Sequence, residues 1–146
     1  MPSAALAAAR QDFIKALQRD TTPTECPRFL AVLDSFIEWS LAHPTQLGFA
    51  AAESHDGTIT FSRVGSNAVM WTVSPRKRDM PRLTLLPRSS RQLSPEARAE
   101  VVATLNAHTR EALTMEDPLR ITFGALKNKT ARAAVLECMD RLLVAG

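Results

Sequence analysis

The most enzyme-like local pattern in the chain is Gly124-Ala125-Leu126-Lys127-Asn128-Lys129-Thr130. It lies between an expected strand and an expected helix, where a phosphate-binding loop would wrap an anion in backbone amides. The match is incomplete. Such a loop needs four residues between its glycines, but here Asn128 replaces the second glycine and only three residues intervene. The simpler reading is a strand-to-helix connection capped by Asn128 or Thr130. What survives is a weak anion site formed by Lys127, Asn128, Lys129 and Thr130, where free amides and the positive end of a helix dipole meet two ammonium groups.

Nucleophilic and metal chemistry find less. Cys26 stands before Pro27 near a helix start, a setting that lowers a thiol's pKa. Proline removes one of the amides that would do so, and Thr22 with Glu25 can cap the helix instead. Cys138 falls on an apolar stripe and reads as a small core residue. His43, His55 and His108 are too far apart to form a HxxxH or HExxH metal pair. His43 suits a helix end, and His108 lies on or beside a buried stripe. Glu53, His55 and Asp56 share a turn, and Glu116-Asp117 before Pro118 forms another. No serine sits in a GxSxG elbow. No catalytic residue, metal or cofactor is assigned on these patterns.

The remaining chemistry is electrostatic. Net charge is +3, yet residues 63 to 98 hold eight basic groups against Asp79 and Glu96, which leaves ten basic and thirteen acidic groups elsewhere. Arg63, Arg76, Lys77, Arg78, Arg82, Arg88 and Arg91 are therefore the candidate anion- or nucleic-acid-binding residues; Arg98 completes the eight. Aromatic interleaving, on which single-strand binders stack bases, is missing, since there is no tyrosine and the phenylalanines and tryptophans fall at inward positions. The leading expectation is a non-enzymatic binding or adaptor module for a protein or small anionic ligand. A nucleic-acid binder acting through the basic segment comes second, and an enzyme with a site assembled from distant residues third.

These groups must be positioned by a core. Length, 45% hydrophobic residues and 23% charged residues match one globular domain spanning 1-146, with 1-44 as a helical subregion. No run approaches the ~18 apolar residues a membrane-spanning helix needs. The alanine-rich start lacks the basic flank and cleavage pattern of a signal peptide. Two isolated cysteines make no disulfide framework, so a reducing, cytoplasmic compartment is expected.

Helical spacing runs from Ser3 to Asp20 through Leu6, Ala9, Phe13, Ile14 and Leu17. After the proline-broken connection at 21-27, Phe29, Val32, Leu33, Phe36, Ile37, Ser40 and Leu41 form a second stripe, flanked by Trp39 and ended by His43-Pro44. An antiparallel helical hairpin follows. The period then falls to two. Leu47 to Ala51 and Thr58 to Phe61 read as strands joined at a two-residue Asp56-Gly57 turn. Ala68 to Val73 and Arg82 to Leu86 follow, separated by a solvated connection at 74-81 that carries two prolines. Alternation puts Arg82 opposite Leu83 and Leu85. Ser94-Pro95 opens a third helix, with Val101, Val102, Leu105, His108, Ala112 and Leu113 at helical spacing. Leu119 to Leu126 reads as a fifth strand, with Ile121 and Phe123 on one face and Arg120 and Thr122 on the other. A last helix runs from Ala131 almost to Gly146. The order ααββββαβα, with strands joined by short turns, predicts an α+β two-layer sandwich with a mostly antiparallel β-meander. A meander has two edges, so a homodimer is also expected.

Overall fold

In the computed structural model the chain begins as the expected pair of antiparallel helices, and residues 4-51, 54, 57-65, 68-76, 79-85, 94-109, 113-114 and 119-145 are described. Helix α1 spans Ala4–Asp20 and α2 spans Glu25–Leu41. Arg10 grips Asp34 with both arms of its guanidinium, each contact 2.8 Å, across the two helices. The connection is short because Thr22 works twice: its carbonyl accepts the amide of Cys26, and its hydroxyl accepts that of Glu25. Pro27 enters α2 in its first turn, where the missing amide has no intrahelical acceptor to lose. The apolar stripe is buried from Phe29 through Ser40, whereas Leu41, expected on it, is 40% exposed at the helix end.

Five strands follow the meander order: β1 Leu47–Phe49, β2 Ile59–Arg63, β3 Val69–Arg76, β4 Asp79–Leu85 and β5 Leu119–Thr122, every neighbouring pair antiparallel. The register lines up two apolar rows across the sheet, Phe61–Trp71–Leu85–Leu119 and Ile59–Val73–Leu83–Ile121, all at most 1% exposed. Helix side chains close over these rows. Phe36 sits 6.1 Å from Trp71 between ring centroids, Phe61 stacks on Trp71 at 5.1 Å, and the indole N–H donates to Ser40 of α2 at 2.7 Å. Helices α3 (Pro95–Thr109), α4 (Phe123–Leu126) and α5 (Lys129–Ala145) contribute Leu105, Phe123 and Val135 to the same buried cluster. The α+β arrangement and the core positions Phe36, Ile37, Trp71, Leu105 and Val135 agree with the sequence.

Several boundaries differ, each for a local reason. Residues 74-81 are not a long solvated connection: β3 continues to Arg76 and β4 starts at Asp79. The two prolines fit because β2 pairs with β3 only as far as Val73, and β5 pairs with β4 only from Arg82 onward. Pro75 and Pro81 thus lie beyond the neighbouring ladders, where a missing amide costs little. The β1–β2 connection runs from 50 to 58 rather than through a two-residue turn; Asp56 lies outside the described residues. Gly57 holds φ +85°, and a Cβ there would come 3.1 Å from the Pro75 ring and 3.5 Å from the Asp12 backbone. The fifth strand stops at Thr122, because Phe123 opens the one-turn α4 and packs its ring near Phe13 and Phe29. Helix α3 ends at Thr109 and does not reach Leu113, whose amide and carbonyl are both clasped by the Asn106 side chain at 2.8 and 2.9 Å. His108 is exposed; the buried stripe of α3 is Arg98, Val101, Val102, Leu105 and Thr109. No helix among the described residues is long and apolar enough to cross a membrane.

Candidate functional site

Alternation that sends apolar side chains to the helices must send their neighbours to the other face of the sheet. Thr60, Thr72, Thr84 and Arg120 form one row there, and Ser74, Arg82 and Thr122 another. Hydroxyls link the strands: Thr60 to Thr72 at 2.8 Å, and Thr58 to Ser74 at 3.1 Å. Arg82 pairs with Thr122 and Thr84 pairs with Arg120, so the two arginines are diagonal neighbours on β4 and β5. Diagonal positions lie about 7 to 8 Å apart along the backbone, within reach of two long side chains.

A concavity of about 290 Å³ opens between Ser74, Arg82, Thr84 and Arg120. Among the described residues, two guanidinium groups and two hydroxyls line it, with no carboxylate and no aromatic ring. Arg120 is exposed, and its side chain makes no ion pair among the described residues. Arg82 is half-buried beside it. Guanidinium and hydroxyl groups of this kind suit hydrogen bonding to an oxyanion.

Of the candidates read from sequence, Arg82 alone contributes a described side chain to this concavity. Arg63 turns to the end of α5, donating to the carbonyls of Leu142 at 2.6 Å and Leu143 at 3.3 Å, and burial pulls its pKa down. Arg98 is 5% exposed on the inward side of α3. Arg76 ends β3, although its side chain lies outside the described residues, as do Lys77, Arg78, Arg88 and Arg91. Arg120 escaped the sequence reading as a site residue because it lies far from the basic segment in sequence. Its signal was the alternation of β5, which set it with Thr122 on the polar face.

The strand-to-helix residues serve other ends. Lys127 meets Glu25 at 2.8 Å, lies 5.7 Å over the Phe29 ring, and holds the Glu25 carboxyl below its ordinary pKa through that hydrogen bond. Asn128 accepts the amides of Thr130 and Ala131 at 2.8 and 3.1 Å, the capping arrangement expected of it, while Lys129 and Thr130 are exposed. Cys26 and Cys138 are both free and buried. Burial pushes the Cys138 thiol up, against its nucleophilic use. Cys26 borders a second concavity, about 380 Å³, between the end of α1 and the start of α2, lined mainly by Thr21, Pro23, Pro27 and Leu30, with no cation among the described residues. His43 points its Nδ1 at the Trp39 carbonyl, 2.7 Å away, satisfying a carbonyl left open at the end of α2. Its Nε2 is 3.9 Å from Asp140, which accepts the Trp39 indole N–H at 2.7 Å. His55, Glu53, Asp56, Glu116 and Asp117 lie outside the described residues. Among the described residues no group of three or more His, Cys, Asp or Glu side chains could hold a metal ion.

Compared with protein-family models, with curated proteins and with solved structures, the chain matches none.

Proposed function

We propose that this chain is a non-enzymatic binding module that takes a small anionic ligand on the polar face of its sheet, using Arg82 and Arg120 as cations and Ser74 and Thr84 as hydroxyl donors. One observation supports this above the others: two arginines from neighbouring strands and two hydroxyl-bearing residues are the described lining of one concavity. Guanidinium forks match the paired oxygens of phosphate and carboxylate groups, and rotatable hydroxyls complete whatever geometry the anion brings. A nucleic-acid partner is the weaker reading, because none of the described lining residues is an aromatic platform on which bases could stack. Free cysteines, Cys26 and Cys138, fit the reducing, cytoplasmic setting proposed for the protein.

Titration with inorganic phosphate at low ionic strength, followed by calorimetry, tests the reading. Arg120→Ala is expected to weaken binding about tenfold, the equivalent of a charge-assisted hydrogen bond of ~1.5 kcal/mol. Arg19→Ala, on α1 where the guanidinium pairs with Asp20, should leave it unchanged. Absence of phosphate binding to the wild-type protein, or equal binding by Arg120→Ala, removes the sheet face as the site.

A further inference from the structure

We infer that the corner where the end of α2 meets α5 is a proton-operated latch, in which His43 clamps the two helices together through Asp140 when its ring is charged and relaxes that hold when the ring is neutral.

The ring is fixed before the second proton arrives. His43 Nδ1 lies 2.7 Å from the Trp39 carbonyl, and since a carbonyl can only accept, Nδ1 carries a hydrogen whether the ring is neutral or charged. The neutral ring must therefore leave Nε2 bare. That atom is 3.9 Å from the Asp140 carboxylate of α5, so a lone pair meets an oxygen and neither can donate. A second proton turns the same contact into an ion pair.

Two further features of the corner favour the charged ring. The Trp39 carbonyl belongs to the last turn of α2, where open carbonyls and the negative end of the dipole attract a cation. The Trp39 and His43 rings lie 4.8 Å apart between centroids, within the range over which an indole attracts a positive charge. Trp39 also donates its indole N–H at 2.7 Å to the same Asp140 oxygen, which holds the carboxylate in place for the histidine. Asp140 is the one carboxylate within 4 Å of the ring among the described residues. Other charged groups on the surrounding elements are few. Glu38 is exposed on α2, Glu137 and Arg141 are exposed on α5, Arg63 of β2 is taken up by the carbonyls of Leu142 and Leu143, and residues 44-49 carry no charge.

The His43 and Asp140 side chains are 29% and 57% exposed, so solvent protons reach the ring and screening keeps the latch weak. It adjusts the ends of two helices and is not a condition for folding. An imidazole is charged below its usual midpoint near 6.5, so the clamp is present on the acid side of that value and fades as pH rises through it.

Hydrogen exchange of the Trp39 indole N–H and of the Ala42 amide, which donates to Glu38 in the last turn of α2, reads the corner locally. Comparing the full wild-type chain with Asp140→Asn at one pH cancels the intrinsic pH dependence of exchange. The ratio of wild-type to variant protection is expected to be about twofold larger at about pH 5.5 than at about pH 7.5, the fold change of a weak surface ion pair, while aspartates as a class titrate near 4, below this window. His43→Gln keeps a donor for the Trp39 carbonyl and cannot become charged, so in that background Asp140→Asn should have the same effect at both pH values. An equal ratio at the two pH values with His43 present would overturn the latch. A pH-dependent ratio that persists in His43→Gln would overturn it as well, by assigning the effect to another group.

Discussion

At the scale of single residues, what an arginine does here depends on which backbone carbonyls or carboxylates lie within its reach. Arg63 and Arg82 belong to the same basic run, yet Arg63 spends its donors on the last carbonyls of α5, while Arg82 faces the concavity of the sheet. The first arrangement is a helix terminus satisfied by a cation, favoured by both the unpaired carbonyls and the negative end of the dipole. Arg63→Ala is therefore expected to lower unfolding stability by about 1.5 to 2 kcal/mol in urea denaturation while leaving phosphate binding intact. A loss of binding without a loss of stability would return Arg63 to the list of anion contacts. Asn128 was readable as a cap from its place before a helix; Lys127 was not readable as Glu25's partner, because 102 positions separate them.

Elements are tied together by such long-range pairs. The Glu25–Lys127 contact joins the start of α2 to the junction of α4 and α5, and the ammonium also covers the Phe29 ring. Glu25 titrates below its ordinary value in the folded chain because Lys127 donates to its carboxylate. A depressed carboxyl pKa stabilises the fold at neutral pH and loses that contribution as pH falls from the ordinary glutamate value, about 4.3, through the lower folded value. Lys127→Met, which keeps the apolar stem, should be less stable than wild type at pH 7, and the urea midpoints of the two proteins should converge as pH drops below about 4. A gap that stays constant down to pH 3 would assign the effect to packing on Phe29 instead. The same scale explains the shifted boundaries: Pro75 and Pro81 are tolerated in strands because neighbouring ladders stop short of them, and α3 ends where Asn106 captures Leu113.

For the molecule as a whole, the meander leaves β1 and β5 as its two edges, and these are the surfaces through which the proposed homodimer would form. Sedimentation velocity at high micromolar concentration is expected to show a dimer, and a single monomeric species would remove the proposal. The amino-acid sequence determined four of the five helices, the alternation of the strands and most of the core, because each rests on a period of 3.6 or 2 that neighbouring residues express by themselves, whereas α4, read as the end of the fifth strand, follows from the packing of Phe123 against Phe13 and Phe29. It placed Arg82 and Arg120 on the polar faces of their own strands by the same rule. Only the tertiary structure set those strands side by side, with Thr84 opposite Arg120, and drew Arg63 to the end of α5. Strand neighbours and helix-end partners are chosen by how the whole apolar surface is buried at once, a global minimum that no local period encodes.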